Sequence, residues 1–285
     1  MIERVGVVGC GLMGSGIAEV CARAGVDVVA YDVSEHAVST GRARIEHSLV
    51  RAVERGKLDE ADRRAFSARL TMTTSLSDLF DRQLVIEAAV EDESLKTELF
   101  SQLDKIVEAP DAVFASNTSS IPIMKLATVT SRPGQVVGLH FFNPVPVLNL
   151  VELVTSIVSS EEAAAVARRF AAEQLGKKVI ASKDRAGFIV NALLVPYMLS
   201  AIRMLESGFA TAEDIDTGMV EGCAHPMGPL ALTDLVGLDT TLFIAHSLYD
   251  EFKEPLYAPP PLLSRMVEAG LLGRKSGRGF YTYDG

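Results

Sequence analysis

Tryptophan is absent from this 285-residue chain, aromatic residues make up only 6% of it, and cysteine occurs three times. Cys10, Cys21 and Cys223 show no CxxC spacing and cannot all pair, which points away from a disulfide framework and towards a reducing compartment, the cytoplasm. Positive charge is scarce: 27 Lys and Arg stand against 37 Asp and Glu, a formal net charge of −10. Such a balance argues against nucleic acid or an anionic membrane as partner. The start, MIERVGVVGC, carries charge at Glu3 and Arg4 and an apolar stretch interrupted by Gly6, which is no signal-peptide core. The longest apolar run, 187–205, holds Asn191, Pro196, Ser200 and Arg203 and reads as a buried helix pair rather than a membrane span. The five histidines are dispersed without a spacing that suits zinc, and no G-x-S-x-G elbow occurs, so neither a metal site nor a serine nucleophile is expected.

What the chain does have is a hydrophobic content of 48%, ample for a core. Val5–Val8, Val26–Tyr31, Leu84–Ala88, Ala112–Ala115 and Val136–His140 read as strands, with helical spacing over Gly14–Ala24, Glu35–Arg55 and Glu93–Val107. This alternation predicts an α/β architecture: a doubly wound, mainly parallel sheet covered on both faces. A helix is expected over Glu161–Leu175, started by a Ser159-x-x-Glu162 capping box. Past Arg185 strand signals stop, and Thr211-x-x-Asp214 opens another helix in what reads as an all-helical C-terminal domain. Four prolines between Pro255 and Pro261 predict a rigid non-helical loop over Leu256–Leu263.

Gly9-Cys10-Gly11-Leu12-Met13-Gly14 is a G-x-G-x-x-G run directly between a predicted strand and a predicted helix, the context that gives the motif its meaning. Its glycines permit a tight turn, close approach of pyrophosphate and close helix packing, and the helix N-terminus favours phosphate. Asp32 follows 18 residues after Gly14 (32 − 14), where a carboxylate accepts from an adenosine ribose and repels a 2′-phosphate. The expected cofactor is NAD rather than NADP. Cys10 sits where a helix start can lower a thiol pKa, but a small side chain beneath a phosphate is the better explanation.

Asp32, Glu91, Asn117, Ser119 and His140 all fall at or just after predicted strand ends, the edge where doubly wound sheets bind ligands. Taken singly, Asn117–Ser120 also reads as a plain turn or cap, and Glu91 and Lys96 as a solvated helical face. His140 and Glu152 lie six positions either side of Pro146 (146 − 140, 152 − 146), so an antiparallel return places them opposite each other. Their Cβ atoms would then stand about 4.5–5.5 Å apart. A carboxylate on one imidazole nitrogen sets the tautomer and leaves the other nitrogen to act as base.

With VGVVGCGLMGSGIA, VIEAAVEDESLK, FASNTSSIPI, HFFNPVPVLNLVELV, DRAGFIVNALLVPY, HPMGPLALTDLVGLD and the closing GRKSGRGFYTY, nearly the whole chain resembles the short-chain, single-function 3-hydroxyacyl-CoA dehydrogenase family, in particular its bacterial 3-hydroxybutyryl-CoA branch. The resemblance implies a Rossmann-like NAD-binding domain over 1–185 and a helical substrate and dimerisation domain over 186–285, hence a homodimer. It implies His140 as catalytic base, Glu152 as its orienting acid, Ser119 at the substrate hydroxyl and Asn191 at the reacting oxygen. NAD contacts would fall on the glycine loop (Gly9, Gly11, Leu12, Met13, Gly14) and on Asp32, Glu91, Lys96, Asn117, Ser119, Asn143 and Lys275. The CoA-contacting region matches Ser48, Arg51, Arg55 and Lys57, although that basic run is equally readable as a solvated face. The implied reaction is reversible oxidation of an (S)-3-hydroxyacyl-CoA to the 3-ketoacyl-CoA. Dehydrogenases of free 3-hydroxy acids share this layout but carry a lysine on the second-domain helix, and Ala186–Tyr197 offers Asn191 and no lysine.

Overall fold

A computed structural model describes residues 1–283, which divide after Asp184 into two compact units. The first is built on eight strands: β1 (Arg4–Val8), β2 (Asp27–Tyr31), β3 (Leu70–Thr73), β4 (Leu84–Glu87), β5 (Val113–Ser116), β6 (Val136–Phe141), β7 (Leu150–Thr155) and β8 (Lys178–Lys183). Their order in the sheet is β3-β2-β1-β4-β5-β6-β7-β8. Strands β3 to β6 run parallel; β7 returns antiparallel to β6, and β8 runs parallel to β7. Every residue of β4, β5 and β6 is buried, as in a parallel sheet covered on both faces. From β1 the chain winds outward through β2 and β3, then crosses back to lay β4 on the other side of β1. That reversal opens a crevice at the carboxyl ends of the strands.

The crossovers are α1 (Leu12–Arg23), α2 (Glu35–Glu54), α3 (Glu60–Ala68), α4 (Glu93–Ile106), α5 (Ile123–Ala127) and α6 (Glu161–Arg169). Ser34, Asp59 and Asp92 cap α2, α3 and α4 by accepting from the N–H three residues on, which satisfies an otherwise orphaned donor. Two details differ from the sequence expectation. Ser160, not Ser159, caps α6; Ser159 instead donates to the Val136 carbonyl at 2.7 Å and accepts from the Ser156 N–H, so its hydroxyl is committed elsewhere. The α-helix also stops at Arg169, and residues 170–174 continue as a π-helical turn that buries Phe170 and Ala171.

The second unit is helical: α7 (Val190–Glu206), α8 (Ala212–Cys223), α9 (Pro229–Val236), α10 (Leu238–Phe252) and α11 (Pro261–Glu268). Thr211 caps α8 through the Asp214 N–H. The apolar run expected as a helix pair is one continuous helix, with Pro196 buried inside it. Proline forgoes one ladder bond there, and the apolar packing of Val195, Met198, Leu199 and Ile202 in the core holds the helix together. The proline-rich loop ends at Pro260, because Pro261 occupies the first turn of α11, where its missing N–H costs nothing. The closing GRKSGRGFYTY is laced to this unit by Asp234, which accepts from the Phe280 and Tyr281 N–H groups and the Tyr283 hydroxyl, each at 2.9 Å. Among the described residues no helix is long and apolar enough to cross a membrane.

Candidate active site

The glycine loop joins β1 to α1. Gly9 has φ +102°, in the region that side chains disfavour, and a Cβ there would meet the Ala88 carbonyl oxygen at 2.6 Å. A Cβ on Gly14 would overlap the Gly9 carbonyl, whereas one on Gly11 would meet nothing within 4 Å. Gly9 and Gly14 therefore serve the turn itself, and Gly11 faces open space suited to a phosphate. Asp32 stands just past β2 with Oδ2 accepting from the Cys10 N–H at 2.7 Å and Oδ1 from the Val33 N–H at 2.8 Å. The carboxylate is thus fixed beside the loop. Burial, and then the charge of Asp32, push the Cys10 thiol up to about 12, so the helix start does not activate it.

At the next strand ends a buried polar network appears. Lys96, only 1% exposed, projects from α4 with Nζ 2.5 Å from Glu87 Oε1 and 3.2 Å from Glu91 Oε2. The other Glu91 oxygen accepts from the Thr118 hydroxyl, the Ser119 N–H (3.1 Å) and the Ser120 hydroxyl (3.0 Å). Burial works to raise the Glu91 carboxyl, but the Lys96 charge and the hydrogen bonds from Thr118, Lys96 and the Ser119 N–H outweigh it and hold the group below the ordinary carboxylate range. Asn117 accepts from the Phe141 N–H through Oδ1 at 2.9 Å, tying the end of β5 to the end of β6. Ser119 is half-buried on the same loop.

His140 and Glu152 are directly opposed in the β6–β7 register, and Nδ1 lies 2.7 Å from Oε2. Glu152 is fully buried and His140 is 6% exposed, with the Phe142 ring tilted over the imidazole at 4.6 Å between centroids. The next residue, Asn143, is exposed and precedes the Pro144–Val147 corner.

That corner forms one wall of a cavity of about 590 Å³ whose other walls come from α1 and α2. Ser48, Arg51, Arg55 and Lys57 all line it, joined by Arg23 and Arg44. On a chain of net charge −10, five guanidinium and ammonium groups around one cavity are a local concentration of positive charge. Glu19, 2% exposed, sits in its wall beside Ser48 and 3.3 Å from Arg23. Burial pushes its carboxyl above the ordinary value, with Ser48 and Arg23 pulling the other way. Lys177, buried behind the corner, donates to the Val145 and Leu148 carbonyls at 2.7 and 2.8 Å and so pins that wall.

The sequence-expected residues therefore fall into three groups. The glycine loop, Asp32, Glu91, Lys96, Asn117, Ser119, His140, Glu152 and Asn143 lie along the carboxyl edge of the first unit's sheet, and the basic run lines the adjoining cavity. Asn191 and Lys275 belong to the second unit, where Asn191 is in the first turn of α7 and Lys275 pairs with Asp239 at 2.6 Å. Glu87, Ser116, Glu19 and Lys177 escaped the sequence reading; the one signal for Glu87 is a carboxylate inside the apolar run LVIEAAV. Among the described residues no cluster of His, Cys, Asp or Glu is arranged to hold a metal.

The profile of the 3-hydroxyacyl-CoA dehydrogenase NAD binding domain matches residues 4–185, and that of the same enzymes' C-terminal domain matches residues 187–283. The chain belongs to the 3-hydroxyacyl-CoA dehydrogenase family, and its cofactor is NAD. A 3-hydroxybutyryl-CoA dehydrogenase of Mycobacterium tuberculosis is 64% identical over 282 residues, 99% of either chain. The crystal structure of M. tuberculosis FadB2 matches with a TM-score of 0.98 at 63% identity, over 99% of each chain. That of (S)-3-hydroxybutyryl-CoA dehydrogenase from Ralstonia eutropha matches with a TM-score of 0.95 at 47% identity, over 100% of each chain.

Proposed function

We propose that this enzyme catalyses the reversible oxidation of (S)-3-hydroxyacyl-CoA, 3-hydroxybutyryl-CoA in particular, to the 3-ketoacyl-CoA, with His140 as general base. The observation that carries the reading is the His140–Glu152 pair at the ligand edge of a dinucleotide-binding sheet, beside a basic cavity. The names of the M. tuberculosis and R. eutropha relatives support the four-carbon substrate.

NAD, when bound through the glycine loop and Asp32, supplies the hydride acceptor. Glu152 accepts a hydrogen bond from the Nδ1–H of His140, which leaves Nε2 to accept the substrate hydroxyl proton, and the carboxylate stabilises the imidazolium that results. Burial of the pair keeps the base fixed and dry, so little reorganisation is needed as charge develops. Ser119 is proposed to hold the substrate hydroxyl. The basic cavity takes the phosphates of CoA, whose binding helps to align C3 with the base. Roles for Asn191 at the reacting oxygen and Lys275 at the cofactor rest on the family resemblance, as does the homodimer, and the cytoplasmic location rests on three cysteines without a disulfide spacing.

The test compares acetoacetyl-CoA, acetoacetyl-pantetheine and free acetoacetate at one NADH concentration. Truncation is expected to lower kcat as well as raise KM, because remote binding energy is used for alignment. Free acetoacetate reduced with a kcat/KM within a few-fold of the CoA ester would make this a free-acid dehydrogenase.

A further inference from the structure

Glu87 has no part in the mechanism above, yet it is a fully buried carboxylate on the last residue of β4. Burying that charge is costly unless every oxygen is occupied, and here the occupants are specific. Oε1 accepts from Lys96 Nζ at 2.5 Å and from the Ala89 N–H at 2.7 Å, and Oε2 accepts from the Ser116 hydroxyl at 2.6 Å. Ser116 is the register partner of Glu87 on β5, and its oxygen accepts in turn from the Thr118 N–H at 3.2 Å. On its other side the Lys96 ammonium reaches Glu91, whose remaining oxygen holds the Thr118 hydroxyl, the Ser119 N–H and the Ser120 hydroxyl. Glu87 thus grips the Ser116–Ser120 loop twice, directly through Ser116 and indirectly through Lys96 and Glu91.

We propose that Glu87 is a positioning residue for the dehydrogenase reaction, anchoring Lys96 between two carboxylates so that Glu91 and the Ser119 backbone keep the geometry that substrate and cofactor meet. The proposal rests on the reading of the Ser119 and Glu91 edge given above. Stability alone is a poor reason for the network, because buried ion pairs replaced by apolar groups of like volume often cost nothing. Charge explains the arrangement better. With the Glu87 charge in place, Lys96 is balanced between two carboxylates, and Glu91 stays available to the Ser119 loop. Without that charge, the ammonium has Glu91 as its one carboxylate partner within the network and draws it away from the Ser119 N–H.

The test uses Glu87→Gln, Glu91→Gln and the double variant in the full-length enzyme, with kcat, acyl-CoA KM, NADH affinity by fluorescence titration, and melting temperature as readouts. The expected result is a kcat at least about tenfold lower for Glu87→Gln and NADH affinity weakened a few-fold. Acyl-CoA KM, set by basic residues that do not belong to this network, should stay within about twofold, and the double variant should be no slower than Glu91→Gln alone, the signature of two residues acting through one chain of contacts. A purely structural role would leave kcat within about twofold of wild type, or make the two effects multiply; either result overturns the proposal. If Glu91→Gln changes neither kcat nor NADH affinity, the reading of this edge fails and the proposal with it. Should Glu87→Gln not fold, Ser116→Ala removes one donor with little loss of packing. Its kcat should fall a few-fold without adding to the Glu91→Gln defect, and a multiplicative effect overturns the proposal.

Discussion

His140 and Glu152 face each other across an antiparallel strand pair, and Nδ1 of one lies 2.7 Å from Oε2 of the other. The pairing follows from backbone geometry: opposed residues on neighbouring antiparallel strands place their side chains on the same face within contact distance. A fully buried carboxylate needs a hydrogen-bonded partner, and the imidazole is one that Glu152 has.

Glu152→Gln should expose that dependence. An amide can donate to Nδ1, which would shift the ring proton to Nε2 and turn the acceptor into a donor. A kcat drop of roughly 10²–10⁴ is expected, as for other orienting acids replaced by their amides, with NADH affinity nearly unchanged. Steady-state rates beside an NADH titration check it, and a kcat within twofold of wild type would remove Glu152 from the role.

Asp32 should set cofactor choice. Its carboxylate is fixed by the Cys10 and Val33 N–H groups, and it would meet a 2′-phosphate with like charge. NADH should be preferred over NADPH, and Asp32→Ser should narrow the ratio of kcat/KM values. Equal kcat/KM for both cofactors in the unmodified enzyme contradicts this placement.

The basic cavity predicts a carrier-specific defect. Arg51→Ala and Arg55→Ala should each raise KM for acetoacetyl-CoA by about tenfold, the scale of one charge-assisted hydrogen bond. KM for the pantetheine ester, which lacks the nucleotide phosphates, should barely move. Added salt should weaken binding of the CoA ester more in wild type than in the double variant. An equal KM rise for both esters would place the phosphates elsewhere.

Glu19 predicts a pH-dependent gain in stability. Its folded-state pKa lies above the ordinary carboxylate value because of burial, then Ser48 and Arg23 in opposition. At a pH below the unfolded value both states hold the proton, and the group costs nothing. As pH rises through the unfolded value and then the folded one, ionisation comes to disfavour the fold. Glu19→Gln should therefore melt higher than wild type near pH 8 and show a smaller difference near pH 4. Thermal melts at the two pH values decide it; a lower melting temperature at pH 8 would mean that the Arg23 contact outweighs the burial.

Much of this edge was legible because its signals are local. The glycine spacing, the Asp32 offset and the symmetry of His140 and Glu152 about Pro146 each follow from a short stretch and a fixed strand period. What stayed hidden depends on contacts distant in sequence. LTMT and KVIASK are too short or too weakly alternating to announce β3 and β8, which form because β2 and β7 offer them edges. Pro196 reads as a helix breaker until the surrounding core is known to hold the helix together. Lys96 looks like a solvated residue on α4, and only its pairing with Glu87 and Glu91, across a strand-to-helix turn, accounts for its burial. Lys177 likewise gains meaning only from the corner at Val145–Leu148 that it holds.

The central claim is that His140 moves the substrate proton, and the most direct measurement of it is hydride transfer in a single turnover by His140→Gln with NADH and acetoacetyl-CoA both saturating. A rate lower by roughly 10²–10⁴, the contribution of a positioned general acid or base, is expected, with NADH and acetoacetyl-CoA dissociation constants within a few-fold of wild type. Retention of more than half the wild-type rate would contradict the assignment of His140 as the proton-transferring group.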